Sequence, residues 1–202
     1  MLNILISNFF MIFFTTMTAF SPLFLINVAK YTEQQTALFL FVLGLGIFFW
    51  NLVGPMISDH IGRKPALVMF TFISIFIPIS VALLYNNFPL LLILTFFLAA
   101  GMGYQPLSLA IIPAESVPRP LVASAIAIIV CVGEGIGGSL GPVLSGILAD
   151  HYGLFSPLWV VAIACAIAFL LSFGIKETAP IKLLKIKEKH GSVETLQSEQ
   201  GI

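Results

Sequence analysis

The sequence predicts an all-α membrane protein with six transmembrane helices. Of its 202 residues, 59% are hydrophobic and only 9% are charged, and the mean hydropathy is +1.07. A soluble domain carries about 25% charged residues because its surface faces water. This chain has too few charges to cover such a surface, so we expect lipid to surround most of it. The net charge of zero gives no indication of nucleic-acid binding.

Six apolar segments are each long enough to cross a bilayer, whose core needs about 20 apolar residues per helix. They cover approximately residues 4–28, 36–57, 66–84, 89–112, 121–148 and 156–175. The segments are continuously apolar and lack the alternating pattern of a membrane β-barrel. Short breaks with turn-forming residues separate them. We therefore expect one transmembrane domain over 1–175 and a polar, disordered cytoplasmic tail over 176–202.

The basic residues predict the orientation of the spans. If both termini are cytoplasmic, eight of the nine Lys and Arg residues lie inside and only Lys30 lies outside. The inner eight are Arg63, Lys64, Arg119, Lys176, Lys182, Lys185, Lys187 and Lys189. Cytoplasmic loops of membrane proteins carry an excess of Lys and Arg. The sequence therefore predicts a multi-pass protein of the plasma or inner membrane with both termini in the cytoplasm.

The loop between the second and third segments reads Asp59-His60-Ile61-Gly62-Arg63-Lys64. Its glycine permits a tight turn, and its aspartate can cap the next helix or pair with a basic residue. The pattern resembles the G-x-x-x-D-x-x-G-R-[RK] loop of the major facilitator superfamily. The matching positions are Asp59, Gly62, Arg63 and Lys64, whereas Pro55 replaces the leading glycine. The resemblance implies that these four residues form a gating loop, which closes the cytoplasmic side of the carrier.

The fifth segment contains glycines at four-residue intervals. They are Gly133, Gly137 and Gly141, followed by Pro142 and Gly146. The spacing puts the first three on one helix face, where a neighbouring helix can approach closely, and Pro142 permits a bend. The series resembles the superfamily motif G-x-x-x-G-x-x-x-G-P-x-x-G-G, with a serine in place of one glycine. Close helix packing alone would also account for these glycines.

Glu134 is the only acidic or basic side chain well inside any of the six segments. A charged carboxylate at the centre of a membrane helix costs about 2.5–3.5 kcal/mol, which implies nearby water, a partner or protonation. Burial favours the neutral carboxyl group, so Glu134 suits a residue that gains and loses a proton in each transport cycle, or that binds a cation. A structural hydrogen bond to a neighbouring helix is the alternative.

Three further polar residues at membrane depth are candidates for a substrate path. They are Asn51, Tyr104 and Gln105. The last two stand between Gly101-Met102-Gly103 and Pro106, where the helix can loosen. Interhelical hydrogen bonding would explain all three equally well.

Nothing in the sequence indicates enzymatic activity. The three histidines are scattered, and no nucleophile with a base, metal-ligand cluster or phosphate loop is present. The string over 133–138 fits G-x-G-x-x-G, yet a dinucleotide site requires this string after a buried strand. The sequence therefore predicts no catalytic residue, no cofactor and no metal.

The resemblance implies one half of a twelve-helix carrier whose substrate site lies between two six-helix halves. Residues 112–118 and 176–180 are similar to the loop before the eleventh helix and to the end of the twelfth. Phe97 stands where the amino-terminal half usually has an arginine, so we expect the carboxy-terminal half.

The function expected from the resemblance is secondary active, proton-coupled transport of a small solute by alternating access. We expect a half-length chain of this kind to pair with a second six-helix half or with itself. The alternative is a non-transporting membrane subunit, or a truncated carrier fragment, that acts through partner binding.

Overall fold

Every regular element in the part of the chain that the structure describes, residues 2–178, is helical in the computed structural model. The helices are α1 (Leu2–Asn27), α2 (Glu33–Ile61), α3 (Arg63–Leu84), α4 (Phe88–Ser116), α5 (Arg119–Tyr152) and α6 (Ser156–Ser172). The first five are long and apolar enough to cross a membrane, and α6 is a shorter apolar helix of 17 residues. The predicted all-α membrane class is confirmed. The predicted tail lies outside the described residues from position 179 onward.

Several helices are longer than the predicted apolar segments, because hydropathy alone does not detect the polar residues at helix ends. At the start of α2, the Gln35 N–H donates to the Thr32 hydroxyl over 3.2 Å, and the Thr32 N–H donates to Gln35 Oε1 over 3.0 Å. This reciprocal cap satisfies N–H groups that the first turn of a helix leaves without partners. By contrast, α6 ends at Ser172, before the predicted position 175, and Gly174 then packs against Leu2 of α1.

Helices α2 and α5 are the least buried of the five long helices. In their most apolar stretches, 22% and 17% of the residues are buried, against 44–50% for α1, α3 and α4. The inner helices form a core that includes Phe13 of α1, Phe70 of α3 and Tyr104 of α4. Helices α1 and α3 both pack along α6. The bundle therefore presents broad apolar surfaces on α2 and α5.

Glycines of α5 make its contact with α1 close. A Cβ atom on Gly137 would lie 2.2 Å from the Asn8 carbonyl oxygen. A Cβ atom on Gly133 or Gly141 would lie 2.9–3.0 Å from backbone atoms of α1. Gly146 has more room, since its nearest neighbour would be 3.9 Å away. The first three glycines of the series therefore face α1 within this chain.

Helices α4 and α5 depart from α-helical geometry near their middles. In α4, a 3₁₀ segment at Ala99–Tyr104 is followed by a π-helical segment at Leu107–Ile111. In α5, a π-helical segment covers Ile129–Glu134 and precedes the α-helical stretch that contains Pro142. Such π segments are rare and frequent at functional sites. Gln105 lies between the two irregular segments of α4, and Glu134 is the last residue of the π-helical segment of α5.

Candidate functional site

Polar side chains from three helices lie close together near the mid-length of α2, α4 and α5. Asn51 of α2 donates from Nδ2 to Oε1 of Gln105 on α4 over 3.4 Å. The Gln105 side chain also lies near the Glu134 carboxyl group of α5. All three side chains are partly buried. We call Asn51, Gln105 and Glu134 the polar cluster.

The polar cluster contains more hydrogen-bond acceptors than donors. Asn51 Oδ1 and Glu134 Oε1 are both buried, and neither has a hydrogen-bond partner among residues 2–178. A buried acceptor without a donor costs about 1–3 kcal/mol. In addition, Pro55 has no N–H, so the Asn51 carbonyl lacks the hydrogen bond that a regular helix would give it. The cluster therefore favours a ligand that brings hydrogen-bond donors or positive charge.

Tyr104 does not join the polar cluster. Its side chain is fully buried and meets the Phe10 ring edge-on, with 5.2 Å between ring centroids. Its hydroxyl has no hydrogen-bond partner within the described part of the chain. The structure therefore places Tyr104 in the core between α4 and α1, and places its neighbour Gln105 toward α2 and α5.

A second group of polar residues surrounds Arg63 at the start of α3. Its guanidinium Nη2 donates to Glu115 Oε1 over 2.8 Å, and Nε donates to the same carboxylate over 3.1 and 3.2 Å. Nη1 donates to Ser58 Oγ over 3.0 Å and pairs with Asp59 at 2.5 Å. The Arg63 side chain is only 9% exposed, against 22% for Glu115 and 55% for Asp59. The pair with Glu115 is thus the more buried of the two.

The segment that follows α6 closes this group. The Arg63 N–H donates to Glu177 Oε1 over 2.8 Å, and the Thr178 hydroxyl donates to Glu115 Oε2 over 2.7 Å. Gly62 has a φ of 104°, which favours glycine, and it makes the turn between α2 and α3. We call Asp59, Arg63, Glu115, Glu177 and Thr178 the charged network. It joins the end of α2, the start of α3, the end of α4 and the segment after α6.

The structure distinguishes the two roles open to the loop aspartate. Asp59 pairs with Arg63, whereas a glutamate from the far end of the chain, Glu177, accepts the first N–H of α3. Lys64 is half-exposed beside them. Sequence reasoning did not identify Glu115 or Glu177 as partners of Arg63. Their positions in segments predicted on the same side of the membrane as Arg63 were the available signal.

Comparison with known proteins identifies the family. The sequence matches the family model described as the Major Facilitator Superfamily over residues 4–199. The chain belongs to the major facilitator superfamily. Members of this superfamily are carriers rather than enzymes, in agreement with the absence of catalytic motifs from the sequence. No solved structure gives a significant match.

Two curated carriers of the superfamily are similar to this chain. One is the glycine betaine/proline/ectoine/pipecolic acid transporter OusA of Dickeya dadantii (strain 3937), at 26% identity over 171 residues. The other is a citrate-proton symporter of Klebsiella pneumoniae, at 24% identity over 159 residues. The matches cover 81% and 75% of this chain, but only 33% and 36% of the relatives. The matched part thus spans about one third of each relative.

Proposed function

We propose that this chain is one half, by resemblance the carboxy-terminal half, of a secondary active carrier that moves a small solute by alternating access. The polar cluster carries the proposal, because it places one carboxyl group and two amides deep in the apolar spans. Such groups are expensive in a membrane and mark substrate or ion pathways. Secondary transporters build their sites near the bilayer midplane from interrupted helices, and α4 and α5 are irregular beside the cluster.

Glu134 is the group that we assign to proton coupling. Its Oε1 atom lacks a donor, so a proton on the carboxyl group supplies a hydrogen that the cluster otherwise lacks. Gln105 can donate to the ionised carboxylate and can accept from the protonated form. A change in protonation therefore reaches α4 through Gln105 and α2 through Asn51.

The charges within the spans favour a substrate without net negative charge. Every described Lys and Arg lies at a helix end or in a connecting segment, whereas Glu134 lies near the middle of α5. A carboxylate without a nearby cation attracts positive or hydrogen-bond-donating groups. Among the compounds named for the two relatives, glycine betaine meets this condition better than citrate does.

A second six-helix unit is the partner that we propose for the open face of α2 and α5. The polar cluster joins these two helices through α4, and its half-buried groups need protein or water rather than hydrocarbon beside them. The unit is either the other half of a longer carrier or a second copy of this chain. Both termini are cytoplasmic in the proposed arrangement, because that orientation puts eight of nine basic residues inside.

The charged network is the proposed cytoplasmic latch of this half. It ties the ends of α2, α3 and α4 to the segment after α6, and carriers open one side by moving such ends apart. Arg63 is its centre, because its side chain bonds an acid of α4 and its backbone N–H bonds an acid of the segment after α6.

Uptake into proteoliposomes tests the proposed function. The chain is reconstituted alone and together with a candidate amino-terminal half, and uptake of glycine betaine, proline and citrate is measured with and without a pH gradient. We expect Glu134→Gln to abolish stimulation by the gradient, because glutamine cannot exchange a proton. Asp150→Asn is the matched control, since it makes the same chemical change at an exposed end of α5. Unchanged gradient dependence in Glu134→Gln would refute the coupling role.

Cross-linking tests the partner face. Phe48 of α2 and Trp159 of α6 are both well exposed, at 65% and 57%. We expect Phe48→Cys to give cross-linked pairs with the second unit in membranes. Trp159→Cys on α6 is the control and should give none. Equal cross-linking by both variants would contradict a partner on α2.

A further inference from the structure

The oxygen atoms of the polar cluster match the ligand preferences of a hard cation. The cluster offers a carboxylate oxygen of Glu134 and amide oxygens of Asn51 and Gln105, contributed by three different helices. Hard cations such as Na⁺ bind carboxylate and carbonyl oxygens rather than nitrogen or sulfur. Two of these oxygens, Asn51 Oδ1 and Glu134 Oε1, are buried and have no donor from the described residues.

The helices around the cluster are irregular. Gln105 follows a 3₁₀ segment and precedes a π segment, and Glu134 closes another π segment. In interrupted membrane helices, carbonyl groups released from regular hydrogen bonding coordinate cations. Pro55 likewise leaves the Asn51 carbonyl without its helical donor. Irregular backbone therefore occurs on α4, which carries Gln105, and on α5, which carries Glu134.

The charge of the cluster selects a monovalent ion. Glu134 is its single acidic group, and no Lys or Arg occurs within the described helices except at their ends. One carboxylate neutralises one positive charge, whereas a divalent ion would leave an uncompensated charge deep among apolar helices. Binding a proton needs only one carboxyl oxygen, whereas a metal cation takes several oxygen ligands, and the amide oxygens of two other helices can supply them.

We propose that Asn51, Gln105 and Glu134 form a binding site for a monovalent alkali cation, for which Na⁺ is the probe. The site rests on the proposed function, since it uses the same carboxyl group, and Na⁺ then competes with the proton for Glu134. Asn51 and Gln105 hold the ion between α2 and α4, so occupancy draws these helices toward α5. Lowering the pH weakens Na⁺ binding, because the protonated carboxyl group no longer carries the charge that attracts the ion.

Thermal unfolding of the purified full chain in detergent tests the site without a transport assay. Unfolding is followed at about pH 8.5, where a carboxyl group of ordinary pKa is ionised. NaCl replaces choline chloride at constant ionic strength. We expect Na⁺ to raise the Tm by about 2–4 °C in a saturable manner, because a ligand of the folded state stabilises it by mass action. Equal Tm values in both salts at all concentrations would overturn the proposal.

Three variants assign the effect to the cluster. Glu134→Gln and Asn51→Val should each abolish or strongly reduce the Na⁺-dependent shift, and Asp150→Asn should keep it. A shift that persists unchanged in Glu134→Gln would place the ion elsewhere and refute the site. If Glu134→Gln does not fold, binding of radioactive ²²Na⁺ to Asn51→Val and to the unmodified chain provides the same comparison.

The outcome separates this site from the proposed function. Loss of the gradient effect in Glu134→Gln, together with no Na⁺-dependent shift in the unmodified chain, would leave proton coupling standing and remove the Na⁺ site. A Glu134-dependent Na⁺ shift without any uptake, alone or with a second half, would leave the ion site standing and contradict the proposed transport of these solutes.

Discussion

Replacement of Gly137 by alanine should separate α5 from α1. The new Cβ atom would lie 2.2 Å from the Asn8 carbonyl oxygen and 3.0 Å from its carbonyl carbon. Non-bonded heavy atoms prefer separations of about 3.5–4.0 Å, so one helix must move by roughly 1 Å or more. The obstructing atoms belong to the backbone of α1, and a change of side-chain rotamer cannot remove them.

The size of the effect follows from a comparison with Gly135, two positions earlier on the same helix. A Cβ atom on Gly135 would meet nothing within 4 Å. Both substitutions gain about 1 kcal/mol of helix propensity, so this contribution cancels between them. Overpacking of a close contact costs about 1–3 kcal/mol. Gly137→Ala should therefore be less stable than Gly135→Ala by about 1–3 kcal/mol.

Thermal unfolding of the two purified variants in the same detergent measures this difference. For a chain of this size, about 1 kcal/mol shifts the Tm by about 2–4 °C. We expect the Tm of Gly137→Ala to lie about 2–12 °C below that of Gly135→Ala, and Gly135→Ala to match or exceed the unmodified chain. Equal Tm values for the two variants would refute the close contact between α5 and α1.

Two further predictions concern the polar ends of the helices. In double-mutant cycles, Arg63→Gln with Glu115→Gln should give a coupling free energy of about 1.5–3 kcal/mol, because this charged hydrogen-bonded pair is largely buried. Arg63→Gln with Asp59→Asn should give less than about 1 kcal/mol, since Asp59 is exposed; equal values would contradict this difference in burial. Burial also raises the pKa of Tyr31, whose hydroxyl donates to the Tyr85 carbonyl. The folded chain therefore holds the phenolic proton more tightly than the unfolded chain does. This difference stabilises the fold in full below about pH 10, and the stabilisation is lost as the pH rises through the raised pKa. Tyr31→Phe should reduce the alkaline loss in the Tm profile, and an identical profile in the variant would argue against this contribution.

The polar cluster was predictable only in part. Asn51, Gln105 and Glu134 stand out in the sequence because polar residues are rare within apolar segments. Tyr104 stands out for the same reason, yet it packs in the core against α1. Successive helical residues point about 100° apart, so Tyr104 and Gln105 cannot face the same neighbour. Which of them faces α2 depends on how α4 is rotated within the bundle.

The contacts of the charged network were also predictable only in part, because its members lie far apart along the chain. The loop sequence identifies Arg63 as a basic residue near a helix end, and it offers Asp59 as a nearby partner. The more buried partner, Glu115, is 52 positions away, and Glu177 is 114 positions away. Topology puts all of these segments on one side of the membrane, but only helix packing selects the acids that reach the guanidinium group.

The sequence by itself determined the membrane class, the positions of the apolar spans and the family, because hydropathy and short motifs are properties of contiguous residues. The tertiary structure decided which faces meet. It placed the α5 glycines against α1, gathered three polar residues between α2, α4 and α5, and brought the segment after α6 to Arg63. These contacts depend on the rotation and depth of each helix, and no stretch of sequence encodes either quantity locally.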